Sequence, residues 1–340
     1  MLQIMMPAPL TFTMNEVPVP EVGDTQALIK IERLGICGSD MQIYHGKHKF
    51  MSYPIVLGHE GSGTLTKVGK AVQGFAVGDR VTIQPQNFCG RCYPCQQGLY
   101  NVCEHLSVMG VHETGMSSDY FVTEASKLLK LPDELSFDQG ALIEPIAVAT
   151  AVIRKVGGVN GAKVAVLGAG PIGNLVAQVA NASGAKDVLI TDINPKRLTI
   201  AEQCQIPHCV NSQEKDLATA IVDFFGANGA DVIIDCAGIR QTISSAVQCA
   251  RRGSRIAVVA NFKTPVEIEL VLLQRKEVTL YGIMMYLRQD FERAIQLVAQ
   301  GKLHTQELVT NYFPVRHIQE AYQYVDDHFE DVMKVMLTFS

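Results

Sequence analysis

The sequence lacks two features that would mark a nucleic-acid-binding or membrane protein. It has no basic surplus, because 29 Lys and Arg stand against 34 Asp and Glu, and the formal net charge is −5. This balance argues against a nucleic-acid partner, which would require a basic face. The apolar runs are also interrupted well before the roughly 20 residues that a bilayer-spanning helix needs, so no membrane partner is expected.

The sequence also shows no secretory leader, since its first residues contain no basic segment followed by an apolar one. Nine cysteines without such a leader suit a reducing compartment, and we expect a cytoplasmic protein. No internal repeat or low-complexity segment is recognisable. At 340 residues the chain is too long for one ordinary core, so two domains are expected.

The sequence changes character near Lys163. Before it, short apolar strands alternate with glycine turns, which predicts an irregular β-barrel. After it, apolar strands alternate with amphipathic helices, which predicts an α/β fold with a doubly wound parallel sheet. The predicted strands are Ala27–Arg33, Gly61–Val68, Arg80–Pro85, Tyr120–Thr123, Val164–Leu167, Val188–Thr191, Val232–Asp235, Arg255–Val259, Val278–Gly282 and Lys334–Phe339, and the predicted helices are Phe137–Val156, Ile172–Ser183, Arg197–Gln203, Asp216–Phe225, Ile239–Cys249, Phe291–Ala299 and His317–Val325.

Four of the nine cysteines, Cys89, Cys92, Cys95 and Cys103, are separated by two, two and seven residues. Two-residue steps allow one loop to place four sulfurs around a tetrahedral zinc ion. A ferredoxin-type iron–sulfur cluster has three residues before its fourth cysteine and a proline after it, whereas Glu104 follows here. Disulfides fit poorly because two-residue loops are strained, while redox thiols remain an alternative. The spacing favours structural zinc.

A glycine-rich turn follows the strand Val164–Leu167 and has the pattern G-x-G-x-x-G. Glycines in this context let the backbone approach a pyrophosphate, and the following helix offers unpaired N–H groups to the anion. The pattern alone is a weak signal, but its place between a strand and a helix makes it specific for a dinucleotide. The candidate cofactor-binding residues of this turn are Gly168, Gly170, Pro171, Ile172 and Gly173.

Asp192 ends the next strand at about the 20-residue distance expected for a carboxylate that binds ribose hydroxyls. A carboxylate there repels a 2′-phosphate and favours NAD over NADP. The alternative role for Asp192 is a helix N-cap before Pro195. Arg197 is a reason not to exclude NADP, because a guanidinium at this position can contact a 2′-phosphate or, alternatively, cover the adenine.

A second group of metal-binding residue types is dispersed over three segments, with Cys37 between glycines, His59 next to Glu60, and Glu144 within an apolar run. A lone buried carboxylate is costly unless a proton or a cation accompanies it. Together these side chains supply the S, N and O donors of an open catalytic zinc site. The competing interpretations are an inert buried Cys37, a core His59 and a Glu144 that caps a helix.

The whole chain resembles the zinc-dependent medium-chain alcohol dehydrogenases, in the branch that oxidises polyols and sugar acids. The resemblance rests on Gly58-His59-Glu60, then Gly63, Gly69 and Val72, followed by the four-cysteine lobe and the glycine turn in the same order. It implies a GroES-like catalytic domain over 1–146 with a structural-zinc lobe at 89–103. It also implies an NAD-binding Rossmann domain over 147–284 and a C-terminal segment, 285–340, that returns to the catalytic domain.

The resemblance also implies site roles. Cys37 and His59 would bind a catalytic zinc, with Glu60 or Glu144 as the carboxylate, and the four-cysteine lobe would bind a structural zinc. Ser39 would take the alcohol proton. His112 matches a histidine of gulonate-type relatives and is a candidate substrate contact, as are His48, Phe50 and Tyr53, which precede the Gly-His-Glu motif.

The implied activity is transfer of a hydride from a secondary alcohol of an L-gulonate- or L-galactonate-like sugar acid, or of a polyol, to NAD. L-threonine, a vicinal diol and a sorbitol-like polyol are alternative substrates, and a non-catalytic NAD- or metabolite-sensing protein is a rival in another class. The relatives include proteins linked to starvation sensing. A homodimer or homotetramer is expected from the family.

Overall fold

The computed structural model describes residues 1–48 and 51–339, so Phe50 lies outside the described residues. The strands are β1 (Leu2–Ala8), β2 (Thr11–Glu16), β3 (Gln26–Gly35), β4 (Glu60–Val68), β5 (Arg80–Ile83), β6 (Gln86–Asn87), β7 (Ser107–Val108), β8 (Tyr120–Glu124), β9 (Leu128–Lys130), β10 (Lys163–Leu167), β11 (Asp187–Asp192), β12 (His208–Asn211), β13 (Val232–Asp235), β14 (Arg255–Val258), β15 (Thr279–Gly282), β16 (Val309–Pro314) and β17 (Lys334–Thr338). The helices are α1 (Gly38–Tyr44), α2 (Tyr93–Gln96), α3 (Phe137–Lys155), α4 (Pro171–Ala182), α5 (Pro195–Gln203), α6 (Leu217–Phe225), α7 (Arg240–Cys249), α8 (Leu270–Lys276), α9 (Arg288–Ala299) and α10 (Ile318–Asp327).

The chain forms two compact units. The first comprises Met1–Glu144, Leu287–Ala299 and Val309–Ser340, and the second comprises Pro145–Tyr286 and Gln300–Leu308. The boundary therefore falls within α3, beside Pro145, whose ring removes one backbone donor from the helix interior. In the part of the chain that the structure describes, no helix is both long enough and apolar enough to cross a membrane.

The first unit is built on a seven-stranded sheet with the order β16-β17-β3-β4-β5-β9, in which β8 also pairs with β3. The ten-residue β3 is central because its first half pairs with β8 and its last residues pair with β17. Its inward side chains Ile29, Ile31 and Leu34 are buried. The carboxyl end of β3, the start of β4 and the start of β17 are brought together by this pairing.

The second unit contains a six-stranded parallel sheet with the order β12-β11-β10-β13-β14-β15. The central strands β10, β11 and β13 are apolar and buried on both faces, as expected for a parallel sheet covered by helices. Gly168 follows β10 and Asp192 ends β11, so the strand order places both at the same edge of the sheet.

Several boundaries and elements differ from the sequence-based expectations. β5 ends at Ile83 and not at Pro85, because proline has no N–H for the ladder. The elements that were not predicted are α1, α2, α8, β6, β7, β9, β12, β16 and the hairpin of β1 and β2. None of these elements is longer than 7 residues, and α1 begins with Gly38 and Ser39, which are poor helix formers.

Candidate metal centres and cofactor site

The paired strands of the first unit bring the candidate catalytic ligands together. Cys37 follows β3 and is the N-cap of α1, while His59 directly precedes β4. Glu60 lies opposite Gly35 in the β3–β4 pair. A Cβ at Gly35 would approach Glu60 Oε2 to 2.3 Å, so only glycine leaves room for the carboxylate. The ligand atoms of Cys37, His59 and Glu60 lie within 4.8 Å of one another.

The charge around His59 is predominantly negative. Burial lowers the pKa of His59, but the charges of Asp40 and Cys37 outweigh burial and raise it well above its usual range. Asp40 Oδ1 lies 3.4 Å from His59 Nδ1, and Asp40 Oδ2 accepts a 2.9 Å hydrogen bond from the Cys37 N–H. Since Nδ1 faces a carboxylate, Nε2 remains for a metal, as in many zinc-binding histidines. The donor set and the surplus of negative charge both fit a zinc ion.

Lys334 is a buried cation of this region that the sequence analysis missed. It begins β17, is 4% exposed, and donates to both carboxylate oxygens of Glu60 at 2.8 and 2.6 Å. Its ammonium also donates to Ile36 O at 3.1 Å. Burial lowers the pKa of Lys334, yet the charges of Glu60 and Cys37 raise it overall, so the side chain remains cationic. Glu60 is therefore an ion-pair partner as well as a candidate metal ligand.

The other predicted catalytic residues do not belong to the compact donor group of Cys37, His59 and Glu60. Glu144 is buried within α3, and its charge helps to raise the pKa of Lys334. Among the described residues, however, Glu144 is not part of the group whose donor atoms lie within 4.8 Å of one another. Ser39 is half-buried in the first turn of α1, two residues after Cys37. His112 lies on an exposed turn after β7. The assignment of these residues to catalysis remains a prediction.

Asp40, which the sequence analysis also missed, had a recognisable signal. It lies three residues after Cys37, the spacing at which a side chain returns to the N-cap N–H in a capping box. For Lys334 the signal was a lone cation at the start of the apolar run from Val335 to Phe339. The same reasoning that singled out Glu144 in an apolar segment applies to it.

The four cysteines of the predicted structural site converge in one loop. Cys92 Sγ lies 3.7 Å and Cys89 Sγ lies 3.6 Å from Cys103 Sγ. A sulfur tetrahedron with bonds of about 2.3 Å to zinc has edges of about 3.8 Å, so the spacing fits the ion. Backbone N–H groups of Cys89, Cys92 and His105 point at these sulfurs at 3.3 Å, which stabilises thiolates.

We expect Cys89 to be alkylated before Cys95 once zinc is removed from this lobe. Backbone N–H groups of Arg91 and Cys92 lower the pKa of Cys89 to about 6, whereas burial raises the pKa of Cys95 to about 12. At neutral pH Cys89 is then mostly the reactive thiolate. Timed iodoacetamide labelling with peptide mapping measures the order, and zinc-loaded protein is the protected control. Labelling of Cys95 before Cys89 would contradict the expectation.

The glycine turn of the second unit is shaped to admit an anion. Gly168 has φ +98°, and a Cβ at Gly173 would lie 1.8 Å from Gly168 O, so neither position accepts a side chain. Gly170 is the N-cap of α4 and has no side chain to satisfy the first-turn N–H groups. Pro171 opens the helix and Ile172 follows it. A pyrophosphate fits this turn.

Asp192 and Arg197 both border the glycine turn. One carboxylate oxygen of Asp192 accepts from the Ala169 N–H at 2.6 Å, and the other accepts from the Asn194 N–H at 2.9 Å. Asn194, and not Asp192, is the N-cap of α5, so the helix-cap interpretation of Asp192 is wrong. A Cβ built on Gly170 would lie 3.8 Å from an Arg197 nitrogen. Ribose binding by Asp192 remains a prediction.

Known proteins share both units of this chain. Residues 23–133 match the family described as the alcohol dehydrogenase GroES-like domain, and residues 171–300 match the zinc-binding dehydrogenase family. The chain is 36% identical over 308 residues to 2-dehydro-3-deoxy-L-galactonate 5-dehydrogenase of Pseudoalteromonas atlantica, covering 90% of this chain and 89% of that protein. It is 31% identical to sorbitol dehydrogenase of Bacillus subtilis, covering 94% and 92%.

A solved structure extends this similarity to three dimensions. An alcohol dehydrogenase from Escherichia coli, complexed with NADH, has a TM-score of 0.92 and 30% identity, covering 99% of each chain. The predicted α/β class, with a GroES-like domain and a Rossmann-type sheet, is thereby confirmed. Because both family models match this chain and relatives at 36% and 31% identity cover 90% and 94% of it, the chain belongs to the zinc-dependent medium-chain alcohol dehydrogenase family.

Proposed function

We propose that this dehydrogenase oxidises the secondary alcohol of a sugar acid of the L-galactonate or L-gulonate type to the ketone, with NAD as the hydride acceptor. The observation that carries the proposal is the group of half-buried Cys37 and buried His59 and Glu60, whose donor atoms lie within 4.8 Å of one another. The relative named for a deoxy-L-galactonate derivative supports a sugar-acid substrate. Two zinc ions per chain are proposed, one at this group and one in the four-cysteine lobe.

The side chains of the first unit would divide the chemistry as follows. Bound zinc supplies Lewis acidity, which lowers the pKa of an alcohol hydroxyl. Cys37 and His59 would hold the ion, and Asp40, whose Oδ1 lies 3.4 Å from His59 Nδ1, would help to orient the ring. The Ser39 hydroxyl, in the first turn of α1, would accept the alcohol proton. Glu60 is held by Lys334, whereas Glu144 lies outside the compact donor group, so Glu60 is the proposed carboxylate ligand.

The second unit would bind the dinucleotide. The N–H groups at the start of α4, next to Gly170, would donate to the pyrophosphate. Asp192 already accepts two backbone hydrogen bonds, and its remaining lone pairs would accept from the ribose hydroxyls. This carboxylate disfavours the 2′-phosphate of NADP, even with Arg197 close to Gly170.

A substrate screen with zinc-loaded protein tests the proposal. The panel comprises L-gulonate and L-galactonate, the polyols sorbitol and galactitol, L-threonine and a vicinal diol, each with NAD or NADP. We expect the highest kcat/KM for a sugar acid with NAD, measured by the absorbance of NADH. A clear preference for a polyol, L-threonine or the diol would reject the sugar-acid substrate. If the zinc-loaded protein binds NADH but turns over no alcohol, the sensing role is favoured instead.

A further inference from the structure

The turn that carries His112 lies against the backbone that presents His59. Met116 N donates to Gly58 O at 3.0 Å, and Gly115 N donates to Val56 O at 2.7 Å. A Cβ at Gly110 would lie 2.5 Å from Gly58 O, so the turn and the Gly58 backbone are in direct contact. Gly58 immediately precedes the candidate zinc ligand. His112 therefore projects from a turn that is anchored beside the metal site.

One nitrogen of the His112 ring is already used. The backbone N–H of Val108 donates to His112 Nδ1 at 3.1 Å. Because Nδ1 accepts this bond, the proton of the neutral imidazole must be on Nε2. The ring is exposed, so it presents a hydrogen-bond donor of fixed position toward solvent.

A second imidazole faces the first. The ring centroids of His48 and His112 are 6.2 Å apart, with an interplanar angle of 76°. Burial lowers the pKa of His48, and the proximity of His112 lowers it further, which outweighs the opposite effect of Asp40. Both rings belong to the first unit.

Glu113, the acidic residue next to His112, makes its hydrogen bonds with other residues. Glu113 accepts hydrogen bonds from Asn87 Nδ2 at 2.8 Å and from the Ser107 hydroxyl. It is therefore engaged with β6 and β7 and not with the imidazole pair. This leaves the exposed Nε2–H of His112 as a donor that a ligand can reach.

We propose that His48 and His112 form a subsite that binds the carboxylate of the sugar-acid substrate and distinguishes it from the corresponding polyol. The inference rests on the proposed function. A carboxylate accepts hydrogen bonds only, which matches the His112 ring once its acceptor is occupied, whereas a hydroxyl both donates and accepts. The pair lies on the first unit with the candidate zinc ligands, as a substrate subsite would require.

The test compares L-gulonate with sorbitol, which differ only in a carboxylate in place of a terminal hydroxymethyl group. His112→Asn retains an acceptor for the Val108 N–H but removes the Nε2 donor, while His112→Gln retains a donor near Nε2. We expect His112→Asn and His48→Leu to lower kcat/KM for L-gulonate about tenfold to a hundredfold, with sorbitol nearly unchanged. His112→Gln should recover part of the loss. Thr114→Ala, on the same exposed turn, is the matched control.

A binding measurement separates this subsite from catalysis. In NMR spectra of the zinc-loaded protein with NADH, L-gulonate should shift the His48 and His112 ring signals, and sorbitol should not. If the wild type prefers L-gulonate but His112→Asn and His48→Leu retain that preference, the subsite is wrong while the proposed function stands. If the wild type does not oxidise L-gulonate or L-galactonate at all, the proposed function itself fails.

Discussion

Replacing Lys334 by methionine is expected to lower the free energy of unfolding by about 3–5 kcal/mol, the usual cost of removing one partner of a buried ion pair. Glu60 is 1% exposed, and each of its carboxylate oxygens accepts a hydrogen bond from the Lys334 ammonium. Without this cation, a charged carboxylate would remain in a site from which water is excluded. The loss should be largest in zinc-free protein, since a bound zinc ion would compensate part of the charge.

Chemical denaturation of the zinc-free and zinc-loaded proteins measures this effect. Lys334→Arg is the matched control, because it retains the positive charge and N–H donors. In the double variant Lys334→Met with Glu60→Gln, most of the lost stability should return, because no unpaired charge remains. A destabilisation of Lys334→Met that the second substitution does not relieve would show that lost packing, and not the unpaired carboxylate, is responsible.

The Lys334 contribution has a defined pH dependence. The folded pKa is raised above the ordinary value of 10.5, so the protonated lysine stabilises the folded state. This contribution is fully present below the unfolded pKa and is lost only as the pH rises through the higher folded pKa. The stability difference between wild type and Lys334→Met should therefore stay constant from neutral pH to about pH 10 and decrease above it.

Replacing Cys37 by alanine is expected to reduce NAD reduction at least about a thousandfold, because a Lewis acid contributes several kcal/mol to such a reaction. Cys37 supplies the sulfur donor of the compact ligand group and, as the N-cap of α1, connects that group to Asp40. The bound zinc should fall from about two ions per chain to about one, since the four-cysteine lobe is unchanged.

Metal analysis and steady-state kinetics on the same samples test this expectation. Cys209→Ala is the matched control, because Cys209 is half-buried and lies outside both cysteine-containing ligand groups. It should retain two zinc ions and the wild-type rate. If Cys37→Ala keeps two zinc ions per chain, or if it loses one ion without losing activity, the assignment of the catalytic site is wrong.

Residue spacing correctly predicted which side chains come together where they belong to one segment of the chain. Cys89, Cys92, Cys95 and Cys103 belong to one loop, and the glycine turn follows directly from β10 into α4. A short loop has few ways to arrange its side chains, so residue spacing nearly determines which atoms meet. The apolar strands of the second unit were also predicted from the sequence, because burial on both faces requires continuous apolar runs.

Contacts between residues that are far apart in the sequence could not be predicted from residue spacing. Lys334 and Glu60 are separated by 274 residues, and His48 and His112 face each other across the Gly-His-Glu motif. The contact between Lys334 and Glu60 depends on the register of β17 on β3 and of β3 on β4, which no local pattern specifies. The register of β3 on β4 also places Glu60 opposite Gly35, next to the other donors of the compact group.

The sequence by itself determined the chemistry available to this protein: four clustered thiols for one zinc ion, dispersed S, N and O donors for another, and a turn that fits a pyrophosphate. Tertiary structure alone decided which charges those groups meet. Asp40 faces His59, Lys334 neutralises Glu60, and Asp192 holds the glycine turn while Asn194 caps the helix. The physical reason is that donor type is a property of a residue, whereas burial and ion pairing are properties of strand register and packing.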